Sequence, residues 1–249
     1  MRPLTSFHHE FQRVASPGRY EEAVPVTVVL VHGAWHSPWH WHAVVPHLAM
    51  PAVTVDLPSC GPEHADMHAD AAAIRRVLDE HADVTLVAHS YGGIPATEAA
   101  AGHPAVRNLL YLAAYNADLG ETLAAFAPED PAEANIRPEQ DCELTEDGML
   151  AFRPDRAMLV LFHDCPDPSE AARHLRPMRP MFTQQAPDAV AWKEIPSTYV
   201  VCTRDRATAV GVQRRLSARA QQVLEIDTGH SAYLARPERV AEIITEVAS

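Results

Sequence analysis

The 249 residues carry 20 Lys and Arg against 33 Asp and Glu, a formal charge of −13. So acidic a chain offers no clustered basic face for a nucleic-acid backbone or an anionic membrane; its short basic pairs, Arg75-Arg76 and Arg214-Arg215, fall in amphipathic stretches and read as solvated faces. A hydrophobic content of 47% excludes disorder as the dominant state, and four cysteines without CxxC spacing exclude a disulfide scaffold or a metal ribbon.

Residues 1–24 are polar, contain Ser16-Pro17-Gly18 and lack the apolar stretch of an export signal. They read as a loose extension without a legible role, on a protein expected to be soluble and cytoplasmic. From Val26 the pattern changes. Val26–Val31 is a β-branched run without polar alternation, as expected for a strand covered on both faces. Similar runs recur at 53–55, 84–87, 109–112, 198–202 and 223–226, separated by helical spacings such as Ala71, Ile74, Val77, Leu78 and Val240, Ile243, Ile244, Val247. Strand alternating with helix predicts a doubly wound, mostly parallel α/β sheet of about six strands, built from residues 25–114 and 191–249. Residues 115–190 hold nine prolines between Pro128 and Pro187, too many for long elements, and read as an inserted cap of short helices around 155–162 and 169–175.

The strongest chemical signal is Val87-Ala88-His89-Ser90-Tyr91-Gly92-Gly93, a serine between a strand and a helix with small residues two before and two after. A nucleophile elbow needs that pattern, because the turn is sharp and neighbouring side chains must be tiny. A serine hydroxyl needs an imidazole base, itself oriented by a carboxylate. His230, in Asp227-Thr228-Gly229-His230-Ser231, alone of 15 histidines follows the last strand and precedes the terminal helix. Asp205 follows the preceding strand and is the expected acid, with Asp118 the alternative and Asp227 too close in sequence to His230. The oxyanion of acyl transfer requires preorganised N–H donors; Tyr91, just after the serine, and Ala34, in His32-Gly33-Ala34-Trp35, are the expected pair, with His32 bracing the loop.

These motifs, with Tyr199-Val200-Val201-Cys202-Thr203-Arg204-Asp205, resemble the α/β-hydrolase superfamily, and more closely the branch of plant methylesterases, salicylate-binding esterases, hydroxynitrile lyases and small bacterial serine hydrolases. The resemblance runs from about Val26 to the C-terminus and implies a Ser90-Asp205-His230 triad and no cofactor. Ala88 departs from the usual glycine. The lyases of that branch place a threonine in the first loop and a lysine after the histidine, where this chain has Gly33 and Ser231.

His36, His40 and His42, interleaved with tryptophans, and the i, i+4 pair His64 and His68, come with no further acidic or Cys ligand in sequence, so no metal site is expected. Trp35, Trp39, Phe126, Phe162 and Phe182 are the expected apolar wall of a substrate pocket. The expected activity is hydrolysis of a small hydrophobic carboxylic ester; a slow-turnover receptor, or a biosynthetic step on the same triad, is the alternative. A homodimer is compatible with the sequence, which names no macromolecular partner.

Overall fold

The structure, a computed structural model, describes residues 25–61, 65–130, 132–133 and 135–249; the expected N-terminal extension lies outside them. In chain order the core runs β1 (Thr27–Val31), β2 (Ala52–Val55), α1 (Met67–Leu78), β3 (Val84–His89), α2 (Gly93–Ala100) and β4 (Val106–Leu112). A segment with α3 (Pro138–Asp141), β5 (Cys142–Leu144), β6 (Leu150–Phe152), α4 (Pro154–Val160) and α5 (Pro168–Arg173) intervenes. The core resumes with β7 (Ser197–Cys202), α6 (Val210–Ser217), β8 (Gln222–Ile226), α7 (Ala232–Ala235) and α8 (Pro237–Ala248).

Six strands form one sheet in the order β2-β1-β3-β4-β7-β8, every neighbouring pair parallel. All residues of β1, β3 and β7 are buried, so both faces are covered, which is why these runs show no polar alternation. α8 begins with Pro237 in its first turn, where the missing N–H is harmless, and lays Val240, Ile243 and Ile244 against β3 and β4. Burying each of those side chains contributes roughly 1.5–3 kcal/mol. α1 is capped by Asp66, whose side chain accepts the Ala69 N–H at 2.9 Å, and buries Met67, Asp70, Ala71, Ile74 and Leu78. One acid therefore sits within an apolar stripe.

The chain leaves β1 toward β2 on one side and returns to β3 on the other. The loops after β1 and β3 thus diverge at the carboxyl ends of adjacent strands, which opens the crevice where open α/β sheets bind ligands. Both the His32–Trp35 loop and Ser90 lie there.

Between β4 and β7 the elements are short: among the described residues no helix of that segment exceeds the seven residues of α4. The expectation of helices alone needs correction. β5 and β6 form an antiparallel hairpin with Cys142 opposite Phe152, and Leu150 bridges on to Met178. Each strand has three residues, too few for a period of two to register in the sequence. The two ends of the segment are stapled together, Trp192 Nε1–H donating to the Ala117 carbonyl at 3.0 Å and Lys193 Nζ pairing with Asp118 at 2.6 Å. All four cysteines are buried and unbridged, and burial pushes the thiols of Cys60, Cys142 and Cys165 up to about 12. No helix among the described residues is long and apolar enough to cross a membrane.

Candidate active site

β3 delivers Ser90 into a left-handed turn, φ +53°, a conformation that costs a non-glycine residue roughly 1–3 kcal/mol and persists only where the surroundings enforce it. They do so by close approach. A Cβ on Gly92 would lie 2.4 Å from the His32 carbonyl oxygen, and one on Gly93 would lie 2.7 Å from that of Tyr115. The Ser90 carbonyl accepts the Tyr115 N–H at 3.1 Å.

His230, in the loop after β8, is buried and donates Nδ1–H to Asp205 Oδ2 at 2.8 Å. That hydrogen bond leaves Nε2 with the lone pair, the tautomer a general base requires. Asp205 also accepts the Ala207 and Thr208 N–H groups, at 2.7 and 2.9 Å, and Gln213 Nε2–H at 2.8 Å. Asp118 pairs with Lys193 and Asp227 with Arg204, so neither alternative acid engages the imidazole. Among the described residues no hydrogen bond joins Ser90 to His230.

Three further imidazoles pack close by. His89 Nε2–H donates to the His230 carbonyl at 3.1 Å, and His36 and His40 lie beyond it in ring contact. Burial, and then mutual repulsion, holds His36 and His89 well below the usual range, while burial and the nearby His32 bring His40 down to about 3. These rings stay neutral at physiological pH and set no positive charge beside the His230 imidazole.

Ala34, Trp35, Ser90 and Tyr91 border one cavity of about 340 Å³, closed from the other side by Leu123, Phe126, Ile136 and Leu150. None of the described residues lining it is charged; Tyr115, Asn135 and Thr183 add polar atoms. His32 braces the loop after β1, its Nδ1–H on the Gly33 carbonyl at 2.9 Å and its Nε2 accepting the Leu57 N–H at 3.1 Å. The Tyr91 hydroxyl donates to buried Asp70 at 2.6 Å, and Asp70 also receives the Ser59 hydroxyl at 2.6 Å and its N–H at 2.9 Å. Burial raises the Asp70 pKa against the pull of those hydrogen bonds.

Of the expected pocket wall, Trp35 and Phe126 line the cavity. Trp39 does not: it leaves the loop on the far side and stacks on His174, centroids 3.7 Å apart. Phe162 is wholly buried over His40 and His36, away from the cavity. The Phe182 side chain lies outside the described residues. Asp70 and Gln213 went unnoticed in sequence. For Asp70 the available signal was an acid at a core position of an amphipathic helix.

His36 Nδ1–H and His40 Nε2–H are spent on the carbonyls of Ala34 and Ala171. His68 meets Glu98 at 3.1 Å and Asp188 at 3.9 Å, linking α1, α2 and the segment returning to β7. His64 lies outside the described residues.

Residues 28–243 match the alpha/beta hydrolase family. The alpha/beta hydrolase nvfD of Aspergillus novofumigatus is 31% identical over 89% of this chain and 96% of its own length. Methylesterase 9 of Arabidopsis thaliana is 25% identical over 88% of this chain and 97% of its own. Among solved structures, a pyrethroid hydrolase from Sphingobium faniae JZ-2 superposes with a TM-score of 0.77 at 25% identity, over 90% of this chain and 97% of that one.

Proposed function

The chain belongs to the alpha/beta hydrolase family, and from that premise we propose that it is a serine hydrolase of small, uncharged, hydrophobic carboxylic esters, working through an acyl-enzyme. The observation that carries this reading is Ser90, held at φ +53° on the floor of a cavity with no charged residue among its described lining. Likeness to methylesterases and to a pyrethroid hydrolase supports the ester class.

In the proposed reaction Ser90 Oγ attacks the ester carbonyl while His230 Nε2 takes its proton, and Asp205 keeps the imidazole in that tautomer. The backbone N–H groups of Ala34 and Tyr91 hold the oxyanion; collapse expels the alcohol, protonated by His230, and water repeats the sequence to free the acid. Contacts between nucleophile and base are commonly loose before substrate seats, and the Ser90–His230 hydrogen bond forms at that stage. Residues 115–190 act as the cap that supplies the apolar wall, and their few polar groups orient the substrate. A neutral wall favours the ester over its product, since a carboxylate released into it meets no cation.

The test is active-site labelling with turnover. A fluorophosphonate should add one mass equivalent to the wild type and none to Ser90→Ala, and the wild type should hydrolyse p-nitrophenyl esters over many turnovers. Labelling at another residue, or a single turnover followed by arrest, refutes the proposal.

A further inference from the structure

Trp35 has φ +63°, in the left-handed region, although it is a bulky residue with 4% of its surface exposed. Alongside the local turn closed by the His36 N–H on the Gly33 carbonyl at 3.2 Å, that conformation is held by the segment between β4 and β7. The indole Nε1–H donates to the Leu150 carbonyl at 2.8 Å, and the Trp35 carbonyl accepts the Arg176 N–H at 2.7 Å. Its ring stands edge-on to Phe152, centroids 5.1 Å apart. These anchors are tied to one another. Leu150 and Met178 exchange backbone hydrogen bonds at 2.7 and 3.0 Å, and Pro177 restricts Arg176 to extended backbone. The Arg176 guanidinium then reaches the next carbonyl of the loop, His36, at 3.2 Å, and pairs with Asp56.

We infer that Trp35 is a positioning residue through which this segment sets the oxyanion loop, so that the donor at Ala34 is in place only while β6 and Arg176 are docked. The inference rests on the serine-hydrolase reading. Its physical basis is that the Ala34 N–H shares a peptide plane with the Gly33 carbonyl, which is held by His32 Nδ1–H at 2.9 Å and by the His36 N–H at 3.2 Å across a turn that Trp35 completes in its left-handed conformation. Downstream, the Ala34 carbonyl is tied to His36 Nδ1 at 2.7 Å and the following residue is Trp35 in its enforced conformation. The Trp35 and Leu150 side chains both border the cavity, so a hydrophobic substrate touches the same strap that positions the donor. Its filling of the pocket stiffens the loop, and remote binding is converted into kcat.

Trp35→Phe in the full chain keeps a ring against Phe152 and removes the indole donor. Removal of one oxyanion donor typically costs about 10²–10³ in kcat, and a displaced donor should cost about 10–100-fold, with KM changed less than about 3-fold. Affinity for an aryl trifluoromethyl ketone, whose adduct carries the oxyanion, should fall in parallel. Independently of turnover, amide hydrogen exchange across residues 32–37 should quicken about tenfold while residues 28–31 are unaffected. Unchanged exchange in the variant overturns the inference whether or not the protein cleaves esters. Faster exchange with unchanged kcat, in a wild type whose hydrolysis depends on Ser90, overturns it too, because the strap would then hold the loop without setting the donor. A wild type with no Ser90-dependent hydrolysis sinks the hydrolase reading and, with it, the catalytic role of Trp35. If Trp35→Phe fails to fold, Arg176→Met, which spares every backbone–backbone hydrogen bond and removes only the guanidinium contacts to the His36 carbonyl and Asp56, is read by the same measurements.

Discussion

Replacing Gln213 with alanine removes three hydrogen bonds at once: Nε2–H to Asp205 at 2.8 Å, Nε2–H to the Thr208 carbonyl at 2.9 Å, and the Cys202 N–H to Oε1 at 2.9 Å. Gln213 is fully buried, so water cannot replace them. A hydrogen bond to a charged group contributes about 1.5–3 kcal/mol, and the Cys202 N–H left unpaired costs about 1–3 kcal/mol, together about 2.5–6 kcal/mol. For a chain of this length each kcal/mol moves the melting temperature about 2–4 °C, so Gln213→Ala should melt about 5–25 °C below wild type. Circular dichroism melting is the assay. A melting temperature within about 3 °C of wild type would refute the claim that Gln213 anchors the acid. Gln213→Glu sharpens the test, since it keeps the volume but sets a second carboxylate against Asp205. Two carboxylates so close cannot both ionise, so one pKa rises in the folded state and the destabilisation deepens as pH climbs from 5 to 8.

Tyr91→Phe leaves Asp70 to Ser59 alone and should cost about 1.5–3 kcal/mol by urea denaturation; a loss below about 0.5 kcal/mol would show that the Tyr91–Asp70 hydrogen bond does not anchor the residue after Ser90. Gly92→Ala drives a methyl into the His32 carbonyl, a contact no rotamer relieves; it should destabilise by at least about 1–3 kcal/mol and abolish labelling of Ser90, and a folded variant that still labels at the wild-type rate would contradict the elbow geometry. At His68 burial lowers the pKa, but Glu98, with Asp188 and Asp66, outweighs it and the net shift is upward. The pair therefore stabilises fully below the unfolded value near 6.5 and fades as pH rises through the folded value. The stability difference between wild type and Glu98→Gln, from urea denaturation, should shrink from pH 5.5 to 8.5; a gap that widens would reverse the sign of the argument.

All six strands of the sheet are legible in sequence because central parallel strands bury both faces and leave unbroken apolar runs, as at 84–87 and 198–202. Residues at strand ends are legible for the same reason: Asp205 and His230 follow β7 and β8, and adjacent parallel strands bring their carboxyl ends together. What escapes is whatever depends on the direction in which a loop leaves the sheet. Trp35 and Trp39 are four residues apart in one loop, yet one lines the cavity and the other stacks outside it on His174. Gln213 and Asp70 escape because periodicity marks their positions as interior without saying which polar partner awaits them.

The stapling of Ala117 to Trp192 and of Asp118 to Lys193 closes the excursion between β4 and β7 at its neck, on strands that already pair side by side. Loop closure costs only about 0.6 kcal/mol more for each doubling of length. The excursion can therefore lengthen, shorten or change its chemistry across evolution with little penalty to the sheet, provided the neck and the contacts to Trp35 persist. Selection for a new substrate has a stretch of chain open to change and two fastenings to respect, so specificity should drift faster than the proposed chemistry it serves.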